Sequence, residues 1–226
     1  MDAVRILIAD DHPLFRAALA LGLRELFPEG QIIEAASFAL LESAVLHEPE
    51  LDLVLLDLNM PGAQGLSALV YLRGERPATP VLVVSANDQP RTVRRVQQFG
   101  AAGFISKAAP LPQIQKAVCA VTAGDEWFPS QKAEKSEADA RLAAKLAHLT
   151  PQQFRVLMCV ADGLANKQIA FQLGLAENTV KVHLTAILRK LECSSRTQAA
   201  VLVKTLAMDD SAASDTDTSM DFRADE

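Results

Sequence analysis

Along the first 123 residues, short apolar runs alternate with stretches of helical period. The runs are Val4–Ala9, Ile32–Ala35, Leu53–Leu58, Val81–Ala86 and Gly103–Ser106. Most are continuously apolar, as strands of a parallel sheet covered on both faces must be. Between them Leu14–Phe27, Phe38–His47, Leu66–Arg73, Thr92–Phe99 and Pro110–Thr122 read as helices. Strand and helix in strict alternation predict an α/β fold, a doubly wound five-stranded parallel sheet, with ligands at the carboxyl ends of its strands.

The alternation stops at Gly124. Residues 124–148 read as a linker, polar and charged over Gln131–Arg141, although Arg141–Leu149 is able to extend a helix. A small all-α block follows over 149–208. Thr150-Pro151 is an N-cap followed by an N1 proline, and Phe154, Leu157, Met158 and Ala161 form an apolar stripe that ends at Gly163. Asn166 is the expected cap of a short helix carrying Ile169, Ala170 and Leu173, stopped by Gly174. A third helix, about Glu177–Leu191, buries Val180, Leu184, Ile187, Leu188 and Leu191 on one face. The last, about Arg196–Met208, turns Ala199, Ala200, Leu202 and Val203 inward. Two helices joined through Gly174 make a helix-turn-helix.

Composition narrows the classes. Of 226 residues, 50% are hydrophobic, enough for a packed core. Three cysteines without a close pair exclude a disulfide scaffold and a Cys-rich zinc module, and they suit a reducing compartment. No run approaches the roughly 18 apolar residues of a membrane span, and the charged start does not read as a signal peptide, so a cytoplasmic protein without membrane contact is expected. The net charge of −6 conceals a segregation. Residues 145–208 hold 8 Lys+Arg against 3 Asp+Glu, whereas 209–226 hold 1 against 7. A basic block beside an acidic body points to nucleic acid at one end, and the Asp/Ser/Thr-rich residues 209–226 read as a disordered acidic tail. The tail could compete with DNA for the basic block, or act only as a solubilising extension.

Chemistry gathers at the strand ends. Asp10 and Asp11 follow the first run, Asp57 lies near the end of the third, Ser85 near the end of the fourth, and Lys107 just past the fifth. Converging carboxylates repel unless a cation intervenes, and a hard divalent ion such as Mg²⁺ suits oxygen donors. Asp10-Asp11-His12-Pro13, Leu56-Asp57-Leu58-Asn59-Met60-Pro61-Gly62, Ser85-Ala86 and Lys107 match in order and spacing the receiver domain of two-component response regulators, which residues 3–123 resemble. The resemblance implies that Asp57 accepts phosphate. It implies that Asp10 or Asp11, with Asp57 and the carbonyl of Asn59, holds Mg²⁺, that Ser85 and Lys107 serve the phosphoryl group, and that Phe104 is a switch aromatic that turns inward when Ser85 moves. Phe104 stands where the family often has Tyr, and Ala108 where many relatives have Pro. A haloacid-dehalogenase-like phosphatase would need its nucleophile after the first strand and an acid two residues on, where Asn59 cannot protonate a leaving group. No glycine-rich phosphate loop follows the first strand.

Residues 149–206 resemble the DNA-binding domain of LuxR/FixJ/NarL-type regulators. The match rests on Leu149-Thr150-Pro151, Gly163-Leu164-Ala165-Asn166-Lys167-Gln168-Ile169-Ala170, Thr179-Val180-Lys181-Val182-His183, Lys190-Leu191 and Arg196-Thr197-Gln198-Ala199. The likeness makes Lys181, Val182 and Thr185 base-reading candidates in the major groove, with Thr179, Lys167, Arg189 and Lys190 toward phosphate. His183 reads as a packed histidine rather than a DNA contact. Ala176 replaces the family's usual serine N-cap, and Gln153 a common Glu. In relatives the last helix supports pairing on two half-sites, though its Ala/Leu/Val face equally suits simple closure of the core. Both resemblances together imply a transcription regulator and not an enzyme, phosphorylated by a sensor histidine kinase and dimeric when phosphorylated. The alternatives are a constitutive DNA binder whose receiver serves only dimerisation, and an interaction-only regulator.

Overall fold

The computed structural model describes residues 4–48, 50–63, 65–129 and 136–207. The strands are β1 (Arg5–Ala9), β2 (Gln31–Ala35), β3 (Leu53–Leu56), β4 (Val81–Ser85) and β5 (Gly103–Ser106), all parallel in the order β2-β1-β3-β4-β5. The helices between and after them are α1 (Pro13–Leu26), α2 (Phe38–His47), α3 (Ser67–Glu75), α4 (Pro90–Gln98) and α5 (Leu111–Thr122). Alternate strand residues face opposite layers, as the two-residue pleat requires. Ile6, Ile8, Leu53, Leu55, Leu82, Val84 and Ile105 pack with α1 and α5. Leu7, Ala9, Val54, Leu56, Val83 and Phe104 pack with α2, α3 and α4. Reversal of strand order between β1 and β3 opens the crevice in which doubly wound sheets place their ligands.

The stretch expected to be a linker is more ordered than its composition suggests. Trp127 bridges Gly103, and its carbonyl accepts the Phe104 N–H at 2.7 Å, which occupies the outer edge of β5. Helix α6 (Glu137–Ala147) then begins at Ser136, whose hydroxyl accepts the Asp139 N–H. The helical block holds α7 (Pro151–Ala161), α8 (Asn166–Leu173), α9 (Glu177–Leu191) and α10 (Arg196–Lys204). Thr150 and Gln153 form a reciprocal capping box at α7. Gly174 adopts φ +64 at the end of α8, the left-handed turn that glycine takes without Cβ strain. Asn166 is the first residue of α8 and not its cap. The cap is Ala165, and the Asn166 carboxamide instead accepts the Arg196 guanidinium. The tail expected over 209–226 lies outside the described residues, as does Met208, the expected end of the last helix.

One apolar cluster runs from the α2–α4 layer into the helical block and includes Tyr71, Leu146, Leu149, Phe154 and Leu206. Polar contacts reinforce it. Arg155 of α7 donates to Glu42 of α2 at 3.0 Å and to the Tyr71 hydroxyl of α3 at 3.0 Å, with its guanidinium over the Tyr71 ring.

Candidate functional site

Four of the five strands, β1, β3, β4 and β5, deliver a chemical group one step past, or at, their last residue. The ladder continues through Asp10 N–H to Ala35 O, Asp57 N–H to Ala9 O and Lys107 N–H to Ser85 O, so these residues leave the sheet along one edge. Asp10 and Asp57 are 2% exposed, and Ser85 closes β4 fully buried. Lys107 Nζ donates to Asp57 Oδ2 at 2.7 Å and pairs with Asp10 Oδ2 at 2.8 Å. The Asn59 N–H donates to Asp57 Oδ1 at 3.2 Å, and the His12 N–H to Asp10 Oδ1 at 2.8 Å. Burial pushes the Asp57 carboxyl above its ordinary range, against the opposing hydrogen bond and charge of Lys107. Burial pulls the Lys107 ammonium down, but Asp10 and Asp57 outweigh it and leave the group raised.

His12, outside the expected ligand set, belongs to this cluster. Its Nδ1 lies 2.8 Å from Asp11, 3.3 Å from Asp10 and 3.9 Å from Asp57. Ligand atoms of Asp10, Asp11, His12 and Asp57 all fall within 4.8 Å of one another, close enough to hold a metal ion. Three carboxylates against one ammonium leave uncompensated negative charge, which a divalent cation would balance. The clue was in the sequence, since His12 directly follows the two aspartates. Phe15, whose ring lies 5.1 Å from Lys107 Nζ, gave no such signal. Phe104 is 1% exposed. Its ring, which carries no hydroxyl, packs in the layer of α2, α3 and α4. Among the described residues no peptide bond is cis, that after Lys107 included.

The second face is on α9. Val180, Ile187 and Leu191 are buried, while Leu184 and Leu188 are partly so. Lys181, Val182, Thr185 and Arg189 are exposed, Val182 by 61%. Lys181 pairs with Glu177 at 3.1 Å, and the Thr185 hydroxyl donates to the Lys181 carbonyl. Lys167 on α8 is exposed, Thr179 half-buried. Lys190 does not share this face: its ammonium donates to His148 O at 2.9 Å and Gln153 Oε1 at 2.7 Å. Lys190, expected at phosphate, here joins α9 to the end of α6 and the start of α7. His183 is half-buried beside the apolar stripe. Helix α9 starts at Ala176 without a side-chain cap. No helix among the described residues is long and apolar enough to cross a membrane.

Comparison with known proteins agrees with this geometry. The family model of the response regulator receiver domain matches residues 6–119, and that of bacterial regulatory proteins of the luxR family matches 147–203. The glycerol metabolism activator of Pseudomonas putida is 41% identical over 204 residues, 86% of this chain and 92% of that protein. The nitrate/nitrite response regulator NarP of Escherichia coli K12 is 32% identical over 201 residues, 88% and 93% of the two chains. A structure of the two-component response regulator RcsB bound to DNA superposes with a TM-score of 0.51 at 21% identity, covering 90% of this chain and 99% of that one, and supports the fold. The chain therefore belongs to the response regulators of two-component signalling, in which a receiver domain is followed by a LuxR-type DNA-binding domain.

Proposed function

We propose that Asp57 is the phosphoacceptor and that its phosphorylation controls how the helical domain engages DNA. The observation that carries this reading is the cluster in which buried Asp57 meets Lys107 at 2.7 Å beside buried Asp10, with Asp11 and the exposed His12 at its mouth. A carboxylate attacks a phosphoryl group only when charge on both partners is offset. Asp57 Oδ would form the new O–P bond while the P–N bond of a kinase phosphohistidine breaks and the imidazole leaves with a proton. Lys107 holds the Asp57 oxygen and is placed to follow the transferred charge; Ser85 offers a hydroxyl donor at the same edge. Asp10, Asp11 and Asp57, with the Asn59 carbonyl, are the oxygens assigned to Mg²⁺, and the exposed His12 is a further donor at that mouth. Bound there, Mg²⁺ supplies the positive charge that lets two anions approach. Lys181, Val182 and Thr185 are assigned to base edges in the major groove, and Thr179, Lys167 and Arg189 to the phosphate backbone. The partners are a sensor histidine kinase, DNA with two half-sites and, when phosphorylated, a second copy of the chain. Its place is the cytoplasm, and its role is regulation rather than catalytic turnover.

Purified full-length protein with Mg²⁺ and acetyl phosphate should take up about one phosphate, and Asp57→Asn none. Full labelling of Asp57→Asn would sink the assignment. The exposure of Lys181, Val182 and Thr185 without any phosphate favours a second reading, constitutive DNA binding. Equal affinity for DNA upstream of the gene, with and without phosphodonor, would establish it.

A further inference from the structure

A cleft of about 700 Å³ remains where the receiver meets the helical block. It is lined by residues of α3 and α4 from the receiver, and of α6 and the start of α7 from the helical block. Its size falls within the roughly 300–1,000 Å³ usual for small-molecule sites. One wall is Ala140, Ala143, Ala144 and Ala147, which share a single face of α6. Three of these, Ala140, Ala144 and Ala147, are exposed, so the cleft opens to solvent. On α3 it is bordered by Gly74. Glycine within a helix weakens it, and this one lies outside the residues of positive φ. A Cβ at Gly74 would meet nothing within 4 Å. Neither a turn nor a close protein contact asks for glycine there; what the missing side chain leaves is room in the cleft.

Two polar features point to the occupant. The first is Gln98 of α4, which lines the cleft. Its Nε2 donates to Ser136 O at 3.1 Å, while its Oε1 is buried without a hydrogen-bond partner. A buried acceptor without a donor is costly, and a ligand hydroxyl would supply one. The second is charge. The described residues lining the cleft include the guanidiniums of Arg73 and Arg94 and no carboxylate. Arg73 donates to the Thr79 carbonyl at 3.2 Å, a neutral partner that does not balance its charge. Arg94 stands one turn from Gln98 on α4, so a carboxylate and a hydroxyl close together on one molecule can meet both side chains.

We propose that this cleft binds a hydroxylated apolar acid. Its carboxylate lies at Arg73 and Arg94, its hydroxyl donates to Gln98 Oε1, and its hydrocarbon body runs along Gly74 and the alanine face of α6. Such a ligand touches both domains at once and stabilises the full chain by mass action. The cleft shares no residue with the Asp57 cluster, so the proposal stands whether or not Asp57 accepts phosphate.

Calorimetric titration of the full-length, unphosphorylated protein with 3-hydroxydecanoate tests it. The wild type should bind one equivalent and melt at a higher temperature in its presence. Decane-1,3-diol, which has no charge, and decanoate, which has no hydroxyl, should each bind at least fivefold more weakly. Arg73→Gln should weaken the hydroxy acid at least fivefold and leave the diol unchanged. Gln98→Leu should weaken the hydroxy acid at least threefold and leave decanoate unchanged. Gly74→Leu, which places a side chain in the cleft, should lose at least tenfold in affinity while retaining near-ultraviolet circular dichroism. Should Gly74→Leu fail to fold, Ala144→Leu on the exposed face of α6 takes its place with the same expectation. No saturable binding by the wild type, or undiminished binding in the folded filling variant, overturns the site. A diol that binds as tightly as the hydroxy acid overturns the anionic ligand. Unchanged affinity in Gln98→Leu overturns the hydroxyl contact.

Discussion

Lys181 and Lys190 both sit on α9, yet their ammonium groups serve different ends. Lys181 stands in solvent, paired with the neighbouring Glu177, an exposed pair that contributes little to stability. Lys190 is folded back onto His148 O and Gln153 Oε1. Lys181→Ala is expected to weaken DNA binding by about 1–3 kcal/mol and to leave unfolding unchanged within about 0.5 kcal/mol. Lys190→Met should do the reverse. Loss of a charged donor from two acceptors should cost about 1–3 kcal/mol of stability, with the salt dependence of DNA binding unaltered. Urea unfolding and binding titrations over a salt series check both. The resemblance assigns both lysines to DNA, Lys181 to base edges and Lys190 to phosphate. Only packing of α6 and α7 against α9 decided that one of them faces protein.

Among the elements of the helical block, α8 and α9 both start at an alanine with no side-chain cap, and α9 also lacks the glutamine that at α8 reaches back to the cap N–H. Ala176 occupies the N-cap of α9 in extended backbone, φ −74 and ψ 145, without a side chain that accepts from the first turn. Ala176→Ser keeps that backbone and supplies the missing acceptor, so it should stabilise the helical domain by about 1 kcal/mol, seen as a higher urea midpoint at unchanged slope. The gap was readable beforehand, because capping depends on one residue and its neighbours three positions on. Helix α6 was less readable. Its cap at Ser136 and its acidic first turn are local signals, but its apolar face is thin, with Leu146 the one fully buried side chain. It persists because α3 and α4 lie against it, an interaction between residues far apart in the chain.

For the whole molecule, the contact between receiver and helical block holds a half-buried charge cluster. Burial raises the Glu42 carboxyl above its ordinary 4.5, against the charge and hydrogen bond of Arg155, with Glu75 raising it further. Burial likewise pushes the Tyr71 hydroxyl up to about 12. A carboxyl raised on folding holds its proton more tightly in the folded chain. Its contribution to stability is fully present below 4.5 and is lost as pH rises through the raised value. Relative to Glu42→Gln, which cannot titrate, the wild type should therefore lose thermal stability as pH rises from below 4.5 to neutrality. Melting curves of the two proteins across that range check this, and a constant gap would contradict it.

The α/β alternation, the strand-end carboxylates with Ser85 and Lys107, and the exposed α9 residues follow from the sequence alone. Each depends on local periodicity or on the rule that parallel strands present their carboxyl ends together. Three features belong to the tertiary structure: His12 among the carboxylates, Lys190 turned inward, and the end of α10 held by Leu66 and Arg95. These contacts join residues from different elements, and Arg95 and Thr205 lie 110 positions apart. Hydrophobic burial sets which surfaces meet. Which donor finds which acceptor is then fixed by the few ångströms of relative placement that no local pattern encodes.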